Sequence, residues 1–529
     1  MRGPVRLVAR DGAIVVAGLH RFLGAVELDP QGDGIVVSNR LSLERYLFGL
    51  AEVPASWPIE ALRAQAVAAR TYALYTLARP PAGDAAARGY DICATTDCQV
   101  FAGADALTTS AGRRWADAVR STAGVAVTYR GAPILARYHS TSGGRTLSNA
   151  QGFPGERNLP YLRSVPSPFE TAAPLWQWTT TFPLADVETI ARRAGWWTSA
   201  SPLRAVRTVP SARGLLYPDV VLEGGGARVR RTADDLQNVV IDLAPALFPG
   251  RYPGVDEDGN RLPVAVPSNR IEVSTSGATV RVDGRGFGHG VGMSQYGAHG
   301  MARRGASYVE ILEHYYRGAV VEEVAAPRAI EVGVESGRRT VVASGAFSIV
   351  DGSGRTVVRD ALGTWTFAWN GSGAVSIDPP RGFGLPLDVG IVRAPRVVGV
   401  GEPAYLTIAL SRPARVGTVT PGSSIDDAAA RVHDAGRRRI VWLAPVEPGR
   451  YRVRVHATVG ATVRRSEPVA ITVRAAPGDA PAPGSGAGGR AQDDGGGSAA
   501  RVAVALAVAA LVAVAVITVL GGVSGRMER

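Results

Sequence analysis

The stretch Leu41–Arg70 reads LSLERYLFGLAEVPASWPIEALRAQAVAAR and predicts two helices joined by a short apolar turn. Glu52 lies in this turn. Ser56 can accept a hydrogen bond from the first free backbone donors of the second helix, and Pro58 fits the first helical turn because it has no N–H. The alanine-rich sequence that follows predicts a helix that runs to about Leu77.

Arg70 lies inside the apolar stripe of this second helix. The stripe has three- and four-residue steps and consists of Ile59, Leu62, Ala66, Ala69, Ala73 and Leu77. Because a lone buried charge is strongly destabilising, the guanidinium needs an anionic partner or a polar ligand. Glu44, Glu52 and a bound substrate are the candidates.

The neighbours of Glu52 favour a role as a proton donor. They are Leu50, Ala51, Val53 and Pro54. Apolar surroundings remove water from a carboxylate and raise its pKa. A carboxylic acid that is still protonated near neutral pH is what glycoside cleavage requires. The alternative is a solvated turn residue and a structural ion pair at Arg70.

Four blocks of sequence, in this order, resemble the stage II sporulation protein D family, also called the SpoIID/LytB domain. They are the run Leu43–Ala73 with ERYL and ALRAQAVAARTYA, YDICATTDCQVFAG at Tyr90–Gly103, ARYHSTSGGRT at Ala136–Thr146, and GRGFGHGVGMSQYGAHGMARRGASYVEILEHYY at Gly284–Tyr316. The resemblance covers residues 30–325. It implies an α+β catalytic domain and a lytic transglycosylase of peptidoglycan glycan strands, preferentially strands without stem peptides.

The resemblance assigns Glu52 as the general acid/base and Arg70 as a residue needed for activity. Ordinary glycosidases use two carboxylates. In a lytic transglycosylase the C6 hydroxyl of muramic acid attacks its own C1, so one carboxylate suffices and the product has a 1,6-anhydro end. The alternative function is that of a non-catalytic wall-binding factor that stimulates an amidase, as some similar LytB proteins do.

Residues of the third and fourth blocks are predicted to contact the glycan. They are Tyr138, His139, Ser140, Ser142, Gly143, Gly144, His289 and Gln295. In the fourth block, glycine occupies every second position from Gly284 to Gly292. If this segment is a strand, one of its faces has no side chains, and either a flat ligand or another backbone can approach closely.

The chain has two cysteines, Cys93 and Cys98, both in the second block. Some similar proteins hold zinc here through a histidine and two cysteines. This chain has no histidine between His20 and His139, and two thiolates are half a zinc site. In an exported protein we expect a disulfide between them, with zinc as the alternative and with no other cofactor.

The composition of the 529 residues predicts several domains. We expect a catalytic domain at 1–325, with core blocks at 30–150 and 270–325 and an insertion at about 154–268. Alternating apolar runs predict a small β module at 326–382 and an immunoglobulin-like sandwich at 383–475. The remaining segments are a flexible linker at 477–498, a transmembrane helix at 499–523 and a short tail at 524–529.

The run Val502–Leu520 is apolar except for Thr518 and is long enough to cross a bilayer. It predicts a C-terminal single-pass anchor, and the function places the enzyme on the extracytoplasmic face of the cell membrane. The sequence after Met1 has no continuous apolar stretch typical of a signal peptide, so we expect the true start to lie upstream.

The net charge is +12, and all 58 basic residues are arginine, since the chain has no lysine. A cationic protein associates with anionic wall polymers or lipid surfaces. Nucleic acid is the competing partner, and we discount it because no basic cluster is interleaved with aromatic residues. Glycan strands, the membrane and a wall amidase are therefore the expected partners.

Overall fold

The computed structural model describes residues 3–256, 259–325, 329–419 and 430–475. These residues form two compact units. The first unit contains residues 52–79, 109–256 and 259–325. The second unit contains residues 3–51, 80–108, 329–419 and 430–475. The region predicted as one catalytic domain, 1–325, is thus divided between the units, because its N-terminal strands pair with strands after residue 329.

The central element of the first unit is the helix Ile59–Leu77. Its C-terminal end is the one that the sequence predicts. The N-terminus differs, because Pro58 is the cap residue and no side chain accepts a capping hydrogen bond, while Ser56 is exposed. Burial is also wider than a stripe, since most side chains from Ala61 to Leu74 are buried on all sides of the helix.

This helix packs against three other helices and two strands of its unit. The helices of the unit are Ile59–Leu77, Ser110–Ser121, Asn149–Gly152, Leu184–Arg193, Ala233–Leu247, Gln295–Arg303 and Tyr308–Tyr315, with a 3-10 turn at Pro168–Glu170. Thr109, Thr232, Ser294 and Ser307 cap four of them through their side chains, as expected for Ser and Thr at this position.

Small sheets complete the first unit. Their strands, in hydrogen-bonded order, are Trp178–Pro183, Thr279–Gly284 and Ile271–Ser276; Ala205–Val209, Asp219–Gly224 and Ala227–Thr232; Val320–Glu323, Val125–Tyr129 and Ala132–Pro133; and the parallel pair Tyr138–His139 and Met293–Ser294. Within the predicted insertion, Trp178–Pro183 is a strand and Leu184–Arg193 is the helix that follows it. The strand pairs with Thr279–Gly284, which joins the insertion to the fourth sequence block.

A long sheet forms much of the second unit. Its strands, in order, are Val375–Asp378, Thr356–Trp369, Thr340–Val350, Val5–Ala9, Ala25–Gln31, Gly34–Leu41, Ile330–Arg338 and Ile92–Cys93, with Ile14–Val16 and Arg21–Phe22 beside them. Helices Leu43–Phe48 and Gly83–Arg88 and the 3-10 turn Asp105–Thr108 belong to the same unit. The strands of the predicted small β module at 326–382 therefore do not form a sheet of their own. They complete a sheet that the N-terminal strands begin.

Within the described residues 389–474, two further sheets enclose one apolar core. One sheet contains Val389–Arg393, Pro403–Leu410 and Gly436–Leu443, and the other contains Val397–Gly399, Val469–Arg474, Gly449–Val459, Ala414–Val419, Arg431–His433 and Thr462–Arg465. Alternate residues point inward, as in Ala404, Leu406 and Ile408. An immunoglobulin-like topology stays a prediction for this region.

The linker at 477–498, the transmembrane helix at 499–523 and the tail at 524–529 lie outside the described residues. Among the residues that the structure does describe, every helix is too short or too polar to span a bilayer.

Candidate active site

The turn that carries Glu52 is held by side chains of two other elements of the first unit. Gln295 Nε2 donates to the Glu52 carbonyl oxygen over 3.4 Å. From the helix Ser110–Ser121, Arg114 donates to the carbonyl oxygens of Ala55 and Trp57 over 3.2 and 3.0 Å. Glu52 as a residue is partly exposed. The turn is therefore fixed through its backbone at a residue that is not fully buried.

Aromatic rings support the same turn from the helix Gln295–Arg303. The Trp57 ring lies 5.0 Å from that of Tyr296 and 4.9 Å from that of His299. Burial lowers the pKa of His299, helped by the positive charge of Arg303, so this ring is a neutral packing partner. Such contacts hold the turn against the helix that supplies Gln295.

Arg70 is fully buried. Its guanidinium donates to the carbonyl oxygens of Val119 and Val125 over 3.3 and 3.1 Å, and more weakly to the Thr122 hydroxyl over 3.5 Å. Val119 lies in the last turn of the helix Ser110–Ser121, where unpaired carbonyl groups attract a cation. The guanidinium thus ties the central helix to the element that carries Arg114. Backbone carbonyl oxygens are thus among the polar ligands that the buried Arg70 guanidinium needs.

The glycine-rich segment does not form the strand that the sequence suggests. The flanking strands end at Gly284 and resume at Met293, and the glycines between them have positive φ angles of 75° to 98°. Side chains rarely adopt this conformation, which explains the glycines. A Cβ atom at Gly286 would lie 2.5 Å from the Thr141 carbonyl oxygen, and one at Gly292 would overlap that of Arg137. The glycine backbone is therefore covered by the segment YHSTSGG, Tyr138–Gly144, and by Arg137 before it. It does not form an open surface for a sugar.

A second carboxylate, Glu170, lies at the centre of these two segments and is 1% exposed. It belongs to the 3-10 turn Pro168–Glu170 and accepts from the backbone N–H of Ser142 over 2.7 Å and from the Ser142 hydroxyl. It also accepts from the Ser294 hydroxyl over 2.5 Å and from the N–H of Gly144 over 3.4 Å. A buried carboxylate with this many donors is a structural anchor.

The predicted glycan contacts of the third block differ in accessibility. Ser142 is 1% exposed, and its N–H, hydroxyl and carbonyl are occupied by Glu170 and Arg270. It therefore holds the loop and does not present its hydroxyl to solvent. Gly143 and Gly144 have φ angles of 67° and 106° and supply the turn that lets this loop close around Glu170.

The predicted contacts that remain partly exposed are Tyr138, Ser140, Gly143, Gly144 and His289. Tyr138 lies in the short parallel strand pair opposite Met293. The Ser140 carbonyl oxygen accepts from the Tyr296 N–H over 3.0 Å, and the Ser140 hydroxyl lies 3.4 Å from that of Thr141. Gln295 is 8% exposed because its amide contacts the Glu52 turn and Gln65.

The two histidines predicted beside the glycan form a pair. The rings of His139 and His289 lie 5.5 Å apart, and that of Phe153 lies 5.2 Å from His289. His139 Nδ1 donates to the Val291 carbonyl oxygen over 3.1 Å, while His289 Nδ1 accepts from the Val291 N–H over 3.1 Å. The backbone at one residue therefore fixes the orientation and the tautomer of both rings.

The environment keeps both rings neutral. Burial lowers the pKa of His139 well below 6.5, and His289 and Arg270 lower it further. Burial and then Arg137 lower the pKa of His289 to about 4. The pair is therefore unprotonated at neutral pH, so it can accept or donate hydrogen bonds but carries no charge.

The polar groups of the two segments are connected. The series of contacts begins at the Glu52 carbonyl oxygen, which accepts from Gln295, and passes through the peptide bond to Ser294. It continues through hydrogen bonds from Ser294 to Glu170, from Ser142 to Glu170, and from Arg270 to the Ser142 carbonyl oxygen. Sequence reasoning found the Glu52 end of this series and missed Glu170 and Arg270. The signal for them was weak, because each is a single charged residue in an irregular segment, far along the chain from its partners.

Cys93 and Cys98 lie in the second unit and are joined by a disulfide bond. The N–H of Cys93 also contacts the Cys98 sulfur over 3.1 Å. Zinc binding at these residues would require the bond to be reduced, since thiolates are the ligands. Within the described ranges, His, Cys, Asp and Glu residues do not gather into a group of three suited to a metal ion.

Comparison with known proteins agrees with the sequence blocks. The family SpoIID, described as stage II sporulation protein, matches residues 31–129. The stage II sporulation protein D of Bacillus subtilis is 32% identical over 295 residues, which cover 54% of this chain and 76% of the relative. The corresponding Bacillus amyloliquefaciens protein is 32% identical, with 54% and 75% covered.

Another relative has a different name. The amidase enhancer of Bacillus subtilis is 27% identical over 295 residues, which cover 51% of this chain and 39% of that protein. Each of these three relatives matches about half of the chain.

Proposed function

Because the chain belongs to the stage II sporulation protein D family, we propose that it is a lytic transglycosylase of peptidoglycan glycan strands, with Glu52 as its general acid and base. The observation that carries the proposal is the Glu52 turn. Its backbone is held by Gln295 and Arg114, and Glu52 itself remains partly exposed. A catalytic carboxylate needs this combination of fixed position and access to substrate.

One carboxylate completes the reaction. Protonated Glu52 gives its proton to the glycosidic oxygen, and the bond from muramic acid C1 to that oxygen breaks. The C6 hydroxyl oxygen of the same sugar then bonds to C1, and its proton passes to the Glu52 carboxylate. The acid is regenerated and no water is consumed, which is why a second carboxylate is not required.

Arg70 acts as a positioning residue in this proposal. It contacts the carbonyl oxygens of Val119 and Val125, so it sets the position of the helix Ser110–Ser121. That helix carries Arg114, which holds the turn. Replacing Arg70 with Lys keeps the charge but loses the planar fork of donors, so cleavage should decrease.

Digestion of purified glycan strands tests the proposal. Strands freed of stem peptides and incubated with the chain should yield products with anhydro ends, detected by mass spectrometry. The Glu52→Gln variant should lose roughly 100-fold or more of this activity. Glu313 is an exposed glutamate of the same unit, and Glu313→Gln is the matched control, expected to cleave normally.

A second function is favoured by the similarity to an amidase enhancer. In this case the chain would bind the wall and raise the turnover of an amidase without cleaving glycan. The Glu52→Gln variant separates the two. If it stimulates a wall amidase as well as the wild-type chain does, and neither cleaves strands, the chain is an enhancer.

The site of action follows from the substrate. We propose that the chain works outside the cytoplasmic membrane, held by the segment 499–523. Fractionation of native cells with and without deletion of this segment tests the anchor. Release of the deleted chain supports it, and an unchanged membrane fraction contradicts it.

A further inference from the structure

Exposed apolar side chains gather at one end of the sandwich that the two sheets of residues 389–474 form. They are Pro403, Tyr405, Val441, Leu443 and Val446, which we call the apolar end. The first four belong to two paired strands, in which Pro403 lies opposite Leu443 and Tyr405 lies opposite Val441. Leu443 is 68% exposed, and Val446, in the loop that follows, is 81% exposed. Single exposed apolar residues are normal, but a group of them marks a surface that another molecule covers.

The apolar end lies at one end of these two strands, and the contact with the long sheet lies at the other. Leu410 and Gly436 pair at the opposite end of the same strands. Just before Gly436, Asp434 accepts from the N–H and the hydroxyl of Thr364, a residue of the long sheet, over 2.7 Å each. A strand of eight residues extends about 25 Å. The apolar end is therefore about one strand length from the residues that hold the sandwich on the long sheet.

The chain leaves the sandwich beside the apolar end. Arg474 ends the last described strand, and its carbonyl oxygen accepts from the N–H of Val400 over 3.1 Å. The next residue, Gly401, donates to the carbonyl oxygen of Pro445, in the loop of the apolar end, over 3.2 Å. The run Val502–Leu520, proposed above as part of the membrane anchor, begins fewer than thirty residues after Arg474. Even a fully extended chain of this length spans only roughly 100 Å, so an anchored chain keeps the apolar end near the bilayer.

The sandwich carries more than half of the positive charge of the chain. Residues 389–474 contain fourteen arginines and six Asp and Glu residues, a net charge of +8, compared with +12 for the whole chain. The Arg439 guanidinium lies 3.9 Å from the centre of the Tyr405 ring. Arg450 directly follows the loop of the apolar end and is exposed, as is Arg474. Arginine can cover apolar surface with its stem while its charged group contacts phosphate.

Two carboxylates also lie at this end. Glu402 accepts from the N–H of Gly399 over 3.1 Å, and Glu447 is exposed in the loop. They lower the local positive charge, so electrostatic attraction alone does not determine what binds here. The apolar side chains gain free energy only from a partner that removes them from water.

The combination of apolar side chains and arginines favours a lipid surface. A hydrated anionic polymer would leave Leu443 and Val446 in water. The boundary between lipid headgroups and acyl chains takes up apolar side chains and places phosphates beside arginine. A second copy of the chain would bring two sandwiches of net charge +8 together, and they repel each other.

We propose that the apolar end docks on the anionic lipid surface of the membrane that anchors the chain. Leu443 and Val446 enter the headgroup region, and Arg439, Arg450 and Arg474 contact lipid phosphates. This inference rests on the proposed anchor at 499–523. Because the anchor keeps the apolar end close to the bilayer, a weak affinity for the surface is enough to hold it there. The anchor alone limits only the distance of the second unit from the membrane, whereas docking also sets its orientation.

Fluorescence of the full chain, reconstituted into lipid vesicles, tests the inference. An environment-sensitive dye is attached at Val446→Cys, and it reacts there alone because Cys93 and Cys98 are joined in a disulfide. On vesicles that contain phosphatidylglycerol, an anionic lipid, we expect the dye emission to shift to shorter wavelength and to be quenched by a quencher attached to the acyl chains. Phosphatidylcholine vesicles should give a smaller shift. Val357→Cys, at an exposed valine of the long sheet, is the matched control and should give no shift.

Substitutions in the labelled chain separate the apolar contribution from the charged one. Leu443→Ser should reduce the ratio of docked to undocked chain about tenfold, since a leucine side chain no longer leaves water. Arg450→Gln and Arg474→Gln should each reduce this ratio about fivefold on the anionic vesicles. All three residues are exposed, so folding should be unaffected. Arg359→Gln, an exposed arginine of the long sheet, is the matched control and should change nothing.

An anchored chain whose dye at position 446 shows no shift on anionic vesicles overturns the inference and leaves the anchor intact. An equal shift on both kinds of vesicle overturns it too, and so does a shift that appears without vesicles as the protein concentration rises, because that result assigns the apolar end to a second copy. If the chain that lacks 499–523 floats with anionic vesicles as well as the full chain does and shows the same shift, the apolar end is supported and only the anchor is removed. A full chain that floats with neither kind of vesicle overturns both proposals.

Discussion

Glu52 and Glu170 are two carboxylates of the same unit, and they differ in what surrounds them. Glu52 is partly exposed on a turn whose backbone is held by other residues. Glu170 is 1% exposed and accepts hydrogen bonds from Ser142, Gly144 and Ser294. A carboxylate that binds substrate needs access, while one that anchors loops needs donors.

The two glutamates therefore have different roles, although the sequence around each does not distinguish them. Glu170 joins the YHSTSGG loop to the start of the helix Gln295–Arg303. That helix supplies Gln295, which holds the Glu52 turn. Substitution at Glu170 should therefore affect folding first, and substitution at Glu52 should affect the reaction alone.

The largest expected effect on stability is that of Glu170→Ala. Removing the carboxylate leaves buried donors of Ser142 and Ser294 without an acceptor, and we expect a loss of about 3–5 kcal/mol in the free energy of unfolding. Urea denaturation measures it. Glu52→Gln, the partner in the comparison, should change this free energy by about 0.5 kcal/mol or less. Equal losses would remove the distinction between the two acids.

Close backbone packing near Glu170 predicts a second effect. Gly292→Ala would bring a Cβ atom into the Arg137 carbonyl at a φ of 75°, so we expect a loss of roughly 3 kcal/mol. Gly305 is the matched control, because its φ is 91° and a Cβ atom there would meet nothing within 4 Å. Gly305→Ala should cost about 1 kcal/mol from the backbone alone. Similar melting temperatures for the two variants would contradict the packing account.

The disulfide lies outside both regions and should affect stability without affecting the site. It closes a loop with a sequence separation of 5 residues, for which chain entropy gives roughly 2 kcal/mol. The Cys93→Ser, Cys98→Ser double variant should therefore unfold at lower urea and still cleave strands. Chelator treatment of the wild-type chain separates zinc from the disulfide, because a loss of stability on chelation would favour the metal.

The last expected effect is that of pH on the histidine pair. The folded-state pKa of His289 is about 4, below the value of 6.5 expected when it is exposed, so the unfolded chain binds more protons between these values. His139 shifts in the same direction. Stability is fully present above about pH 6.5 and decreases as the pH falls towards 4. His289→Gln should flatten this dependence, measured by urea midpoints at about pH 7 and about pH 4.5.

Local features were predictable from sequence because they depend on neighbouring residues. Pro58 and the alanine-rich run gave the helix that ends at Leu77. Cys93 and Cys98 lie in one short segment, which favoured the prediction of a disulfide between them. In both examples a few adjacent residues determine the structure.

Features that depend on distant residues were not predictable. Glu170 finds its partners 28 and 124 residues away, at Ser142 and Ser294. The strands after residue 329 pair with strands near the N-terminus, and alternating apolar residues cannot show which partner a strand takes. Alternating glycines are compatible with a strand and also with the segment of positive φ angles that the structure contains, so the sequence could not separate the two.

Digestion of stripped glycan strands in water enriched in heavy oxygen tests the central claim about Glu52 most directly. Cleavage by attack of the C6 hydroxyl consumes no water, so we expect anhydro ends without heavy oxygen, and Glu52→Gln should abolish them. Products whose new ends carry heavy oxygen, or cleavage by Glu52→Gln at the wild-type rate, would contradict the account.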